Sequence, residues 1–536
     1  MSNQTAAARP AESQSKITRI TERIILFSLA LYALFAPHSI AITQSAFLIG
    51  LVAWAVQMAA RRKLDIRRTP VDLALLGFFA CCVVSSFLSY DQIVSVKGLR
   101  SPAFFLAFYF VTSRVTSARM IKWLTLAIVV SCSANIVASG VQVAMGRGLR
   151  VDSLREESPL ATAGIQIGDV ILEADDKPVH SLAELSQAID EQRGPLRLQV
   201  QRSEAVRPVF VSRTDLRRGD GAGTERLGIT TSPGRNFRVT GFYSHYETFA
   251  EVLQLIGALA IGLLIALPDK RSRLGWFLGV MIVLIGVTLL FTSTRAAIIG
   301  LTAALACMAY ASSRRRVLLV GLGVLVLTAP LAYVMVERAR GISFLDPEEG
   351  SFAWRLTVWP ETLPIIKDHP LFGIGKGSEG KLHEQWGLFE NGKLPPGHFH
   401  STPIQIAVWW GLAALLLYYA MMTIFAVELW RLAKRLKEDA RWELWGVALG
   451  GLGSLVAFNI SSLVHFNFGD GEVVMMFWLL MGVSFAARRI AAEQTGDAPA
   501  RHTQEPAAVA DSGKSLRLEP AASVEASAQA AKAKLN

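Results

Sequence analysis

Long apolar runs recur along this chain and constrain its fold more than any other feature. A helix needs roughly 20 apolar residues to cross the hydrocarbon layer of a bilayer. Runs of that kind occupy residues 22–37, 40–60, 71–90, 102–113, 121–144, 247–267, 275–291, 296–312, 317–336, 404–430, 442–464 and 472–487. The run at 102–113 is short, and a break at Pro37 separates the first two. In hydrocarbon each backbone polar group must be satisfied inside its own segment, so these runs become helices. The expected fold class is an all-α polytopic membrane protein of about twelve transmembrane helices, with one small α/β domain inserted. Composition agrees: 52% of the residues are hydrophobic and only 18% are charged, against about 25% charged in an ordinary soluble domain.

The net charge of +11 does not point to nucleic acid, because Lys and Arg gather at the ends of apolar runs rather than on one basic face. Arg61, Arg62, Lys63, Arg67 and Arg68 form one such group, and Arg114, Arg119 and Lys122 the next. Lys270, Arg271 and Arg273, then Arg314, Arg315 and Arg316, then Arg431, Lys434, Arg435, Lys437 and Arg441, and last Arg488 and Arg489 continue the series. They fall in alternate loops, which assigns those loops and both termini to the cytoplasm of a bacterial inner membrane. The opposite short loops carry few cations, the exceptions being Lys97, Arg100 and Arg295. Residues 1–20 are polar and do not resemble a cleavable signal peptide. Cys81, Cys82, Cys132 and Cys307 all lie in apolar runs without metal-ligand spacing and read as packing residues. The tail 491–536, rich in Ala, Glu and Lys, is expected to be disordered.

Two long loops, about 145–246 and 337–403, fall on the outer side, and structureless loops of that length are uncommon in compact proteins. Residues 151–213 of the first read as an α/β unit. A short helix around Pro159–Ala163 and turns at Gly164 and Gly168 lead to a strand over Asp169–Glu173. Ser181 caps a helix with Leu182, Leu185 and Ile189 as its stripe, and Leu196, Leu198 and Val200 alternate along a half-buried strand. Ala163-Gly164-Ile165 followed by Gly168-Asp169-Val170-Ile171 resembles a PDZ domain, which bounds the insert at 148–213. The upstream strand with its glycine loop is abbreviated; Gly148–Val151 or Leu227-Gly228-Ile229 could supply it. The resemblance implies a peptide or protein ligand captured by strand addition, against the alternative of a spacer that binds nothing. An intramembrane metalloprotease also carries such an insert but needs H-E-x-x-H; the nearest string, His383-Glu384-Gln385-Trp386-Gly387, lacks the second His.

Four strings then follow in order: Arg238 before Gly241-Phe242; Thr292 to Ala296 around Arg295; Arg355 with Trp359, leading to Pro370 to Gly375; and His400 with Gly411. Together they resemble the O-antigen ligase and polymerase superfamily, over about 230–425. The chain departs from the family pattern at Ser401, where Asn is usual, and at Ser293-Thr294-Arg295. The resemblance implies helices 1–144, a ligase-like core over 235–490 with a large periplasmic loop at 337–403, and transfer of a glycan from a polyprenyl diphosphate carrier to an acceptor hydroxyl. The acceptor would be a lipid-linked core, a second polyprenyl-linked chain (the polymerase case) or a protein hydroxyl.

The residues fit that chemistry. Arginine binds phosphate oxygens two at a time, so Arg238, Arg295 and Arg355 are the candidate substrate-binding residues. Arg295 is unexpected at a membrane boundary unless it has a ligand, though snorkelling to lipid headgroups would also account for it. His400 is the candidate catalytic base; His398 and His245 compete with it, and His369, beside Pro370, reads as a turn residue. No D-x-D or other carboxylate pair is placed for magnesium, so no metal and no cofactor is expected; Glu247 and Glu361 read as lone acids that partner the arginines. A transporter would need internal repeats and broken, charged helices, and a PDZ-bearing sensor would need a cytoplasmic output domain; the chain offers neither. Besides the donor, the acceptor and the insert's ligand, membrane lipids are the expected partners.

Overall fold

Every expected apolar run that falls within the described residues is helical. The structure, a computed structural model, describes residues 4–191, 194–202, 205–218, 224–234, 238–313, 333, 350–394, 397–438 and 441–495. The expected helix at 317–336, the Arg314–Arg316 cluster, the start of the 337–403 loop and nearly all of the 491–536 tail lie outside them.

In chain order the first helices are α1 (Gln4–Phe35), α2 (Ile40–Arg61), α3 (Asp72–Leu88), α4 (Gln92–Gly98), α5 (Leu106–Arg114) and α6 (Ala118–Met145). The run at 22–37 is thus the second half of a 32-residue helix whose first turns are polar. Ser39 and Ser117 start α2 and α6, each accepting a bond from a backbone N–H two residues inside the helix or further. Among the described residues eight segments are long and apolar enough to cross a membrane, α4 and α5 forming one of them, and α3 is a shorter apolar helix.

The inserted domain follows α6. It contains β1 (Leu149–Leu154), α7 (Pro159–Thr162), β2 (Val170–Ala174), β3 (Lys177–Pro178), α8 (Leu182–Glu191), β4 (Pro195–Arg202), β5 (Ala205–Ser212), α9 (Arg213–Arg218) and β6 (Ile229–Pro233). Leu196, Leu198 and Val200 are buried as their alternation requires, with Leu185 and Ile189 of α8 against them in one small core. Asp175 and Asp176 both have positive φ, the two-residue turn that matches the twist of paired strands β2 and β3. Buried Asp169 receives two bonds from the Arg202 guanidinium, at 2.7 and 2.6 Å. The main path of the sheet runs β5-β4-β2-β1-β6. Both candidate segments for the abbreviated strand are therefore used: β1 and β6 pair with each other, and the sheet continues past residue 213.

The core resumes with α10 (Tyr246–Ala266), α11 (Arg273–Thr292) and α12 (Arg295–Ala311), then α13 (Gly350–Asp368), α14 (Thr402–Arg435), α15 (Trp442–Ser462) and α16 (Gly471–Thr495). α10, α15 and α16 are buried on nearly all sides. Glycine lets α10 and α15 approach: a Cβ on Gly262 would lie 2.3 Å from the Gly450 nitrogen. The loop expected at 337–403 is not structureless, since α13 fills residues 350–368. After it, Pro370 to Gly375 lies along α14. Gly411, at φ 81°, breaks α14 and frees two of its carbonyls. Val408 O and Trp409 O accept from Ile374 and Gly375 N–H at 2.9 Å each, and Leu412 N–H donates to Pro370 O at 2.7 Å. The glycines of this segment are there because backbone passes backbone: a Cβ on Gly411 would sit 2.2 Å from Leu371 O, and one on Gly373 2.4 Å from Val408 O.

Candidate active site

The start of α10, the start of α14 and the chain after α15 meet at one end of the bundle and enclose a cavity of about 500 Å³. Its walls carry His245, Glu247, Thr248, Glu251, Glu379, His398, His400, Trp409, His465, Asn467 and Asp470. The inserted domain joins the bundle at this same end, because α6 leads into β1 and β6 leads toward α10. Gln142 of α6 clasps the returning chain: its Oε1 accepts from Thr240 and Gly241 N–H, and its amide donates to Gly241 O at 2.9 Å.

Glu247 and Glu251 are four residues apart, so α10 presents both carboxylates on one face. Opposite them, His465 Nδ1 is 2.7 Å from Glu251 Oε1, and Nε2 is 3.7 Å from Glu247 Oε1. Burial, the largest influence on His465, pulls its pKa down, but the Glu247 charge and the Glu251 bond outweigh it and leave the imidazole above its ordinary value. Neither His465 nor Glu251 is among the residues singled out from sequence; of the two acids expected to partner the arginines, Glu247 feels the charge of Arg355 as well as two imidazoles, whereas Glu361 meets backbone amides. Glu247 Oε1 lies 3.7 Å from His465 Nε2, and its Oε2 4.0 Å from His245 Nδ1. Glu361 accepts backbone bonds from Phe389 N–H at 2.8 Å and Glu390 N–H at 3.2 Å.

His400 sits where α14 begins, with φ at +46°, a costly conformation for a residue with a Cβ. Its ring meets Trp354 edge-on at 5.1 Å and lies 4.1 Å from the His398 ring. Its Nδ1 is buried with no hydrogen-bond partner among the described residues. Burial first, and the adjacent His398 second, lower its pKa to about 3, so the ring is neutral at physiological pH.

Arg355 and Trp359 explain their own spacing. One turn apart on α13, they hold the two loops that carry the histidines: Arg355 Nη2 donates to Val464 O and Trp359 Nε1 to Phe399 O, both at 2.8 Å. Thr402 adds N–H and hydroxyl bonds to His465 O, 3.0 Å each. Arg355 is buried, and its charge acts on His398, His400 and His465 together. Arg355 and His400 are therefore brought to one site. Arg238 lies beside it: its guanidinium stacks 4.3 Å over Tyr246, the neighbour of His245. Val239 N–H bonds Phe291 O at the end of α11, which puts Arg238 close to the α11–α12 junction. Arg295 is the first residue of α12, partly buried, at that junction. None of Arg238, Arg295 and Arg355 lines the cavity wall; Arg355 reaches it through its charge and its bond to Val464 O. His369 is bonded to Tyr90 at 3.2 Å, away from these groups.

The architecture and this site define a multi-pass membrane protein with an inserted extramembrane domain and an imidazole–carboxylate cavity at that domain's end of the bundle. Residues 280–419 match the O-antigen ligase family model and residues 150–202 a PDZ domain model, so the chain carries an O-antigen ligase domain with a PDZ domain inserted ahead of it. No curated protein matches the chain. The ligase match includes Arg295, Arg355, His400 and Gly411; Arg238, Glu251 and His465 come from outside it.

Proposed function

We propose that the protein transfers a glycan from a polyprenyl diphosphate carrier to an acceptor hydroxyl at the periplasmic face of the inner membrane, both termini being cytoplasmic. The observation that carries this reading is the convergence of Arg355, His400 and a histidine-lined cavity within and around the ligase match. The donor's diphosphate docks against Arg238, Arg295 and Arg355, whose fixed charges stabilise the departing diphosphate without a metal ion. The acceptor hydroxyl enters the cavity and accepts a hydrogen bond from the ring N–H of neutral His400, which aligns it with C1. Direct displacement gives inversion at C1. Ligase chemistry, with a lipid-linked acceptor, is the preferred form; a second polyprenyl-linked chain or a protein hydroxyl would use the same groups.

His400→Ala, tested in cells lacking the parent gene, is expected to reduce acceptor-linked surface glycan by about 10²-fold. Wild-type amounts of full-length glycan on the acceptor would remove His400 from the reaction. Arg295→Lys keeps the charge but loses the two-pronged contact, and about tenfold slower transfer is expected. A variant as fast as the parent would show that Arg295 does not bind phosphate in that way.

A further inference from the structure

Aligning a hydroxyl does not dispose of its proton, and His400, with a pKa near 3, holds a proton poorly. The cavity contains a second imidazole with the opposite disposition. Glu251 lies in the first turns of a membrane helix, where a buried carboxylate is costly unless it is paired. Its partner is His465 Nδ1 at 2.7 Å. This contact places one hydrogen between the two groups, and with that hydrogen on Nδ1 and the carboxylate accepting, the lone pair is left on Nε2. His465 lines the cavity, and its loop is fixed from three sides by Arg355, Thr402 and the Asn467 amide, which donates to Phe458 O at 2.9 Å. A base oriented by a carboxylate on its far nitrogen is the arrangement that nucleophile activation requires.

We propose that His465, oriented by Glu251, is the base that takes the acceptor's proton. The inference rests on the transferase reading of the cavity. As the hydroxyl oxygen bonds to C1, its proton passes to His465 Nε2. The C1–O bond to phosphate breaks and its electron pair leaves on the diphosphate. The new imidazolium sits between Glu251 and Glu247, and gives its proton to solvent when the polyprenyl diphosphate departs. Glu251 is a positioning residue, since it acts only through His465.

The charged and titratable groups facing His465 are Glu247 and Glu251 from α10, Arg355 from α13, His398 and His400 from the segment before α14, and Asp470 from its own loop. The carboxylates prevail, so His465 titrates above the ordinary 6.5. A base works deprotonated; kcat/KM should therefore fall as pH drops through that raised value. Removing the Glu251 charge should carry the acid limb to lower pH.

The test is kcat/KM against pH for the full-length protein in lipid, with a defined polyprenyl diphosphate glycan and an acceptor used by the parent. The parent should lose activity with a midpoint above 6.5. Glu251→Gln should move that midpoint down by about one pH unit, and His465→Gln should lower kcat about 10²-fold with the donor KM little changed. A parent midpoint at or below 6.5 overturns the proposal. So does a Glu251→Gln limb that coincides with the parent's, or a His465→Gln variant as fast as the parent. If His465→Gln does not fold, the other two comparisons still decide. A parent that transfers nothing would remove the transferase reading itself, whereas an active parent with an unmoved limb removes only the role of His465.

Discussion

Replacing Arg355 with alanine is expected to lower glycan transfer by about 10³-fold, the upper end of what one preorganised charge contributes to a transition state. Two losses coincide. The guanidinium is buried and its charge acts on His398, His400 and His465, which is why the proposed function gives it the departing diphosphate to stabilise. It also donates to Val464 O, next to His465, and without it that loop keeps the attachments through Thr402, Asn467 and the His465–Glu251 bond. Arg355→Lys separates the two, because lysine restores the charge without the fork. A lysine variant that recovers much of the rate would assign most of the effect to charge. One as slow as alanine would assign it to the loop and to two-pronged phosphate contact. Transfer within threefold of the parent by Arg355→Ala would mean that this arginine serves neither purpose.

Gly411→Val is expected to destabilise the cavity end of the core, on the order of 4 kcal/mol. The residue has φ at 81°, which a β-branched side chain scarcely adopts. A Cβ there would also lie 2.2 Å from Leu371 O and 2.5 Å from Phe372 N, and backbone cannot swing aside as a flexible side chain would. The break at Gly411 is what lets Ile374 and Gly375 bond the carbonyls of α14, so closing it would expel the Pro370–Gly375 segment. Thermal unfolding of the detergent-purified variant should move down by roughly 10 °C. Gly286→Val, on α11 with nothing within 4 Å of its Cβ position, is the control and should melt with the parent. Equal melting of the two variants would contradict the account of the broken helix.

The parts of this fold that were legible in the sequence are those whose cause is local. Apolar runs became helices because hydrocarbon leaves no alternative, and the alternation Leu196, Leu198, Val200 became a strand with one face inward. The Arg355–Trp359 spacing could be seen, but its purpose could not: it works through backbone carbonyls at 464 and 399, and sequence does not say which loops lie beside a helix. The Glu251–His465 pair shows the limit most clearly. Its members are 214 residues apart, in no shared motif, and each is unremarked in its own string. One signal was present nonetheless. Glu251 is an acid inside an apolar run, and an ionisable group in a membrane helix is by default a functional candidate with a partner to be sought. For Glu247 and Glu361 likewise, sequence does not say which neighbours the fold supplies. Opposite charge suggested arginine; the fold gave Glu247 two imidazoles as well as the charge of Arg355, and Glu361 two backbone amides.

The central claim is that cations and imidazoles at this end of the bundle serve a lipid diphosphate. It is tested most directly by supplying the purified, lipid-embedded protein with a defined polyprenyl diphosphate glycan and following donor and products by mass spectrometry. The acceptors would be a lipid-linked core, a second polyprenyl-linked chain and a hydroxyl-bearing protein. The account predicts glycan on one acceptor and an equal quantity of free polyprenyl diphosphate. A donor left intact with all three, and showing no saturable binding to the protein, would contradict it.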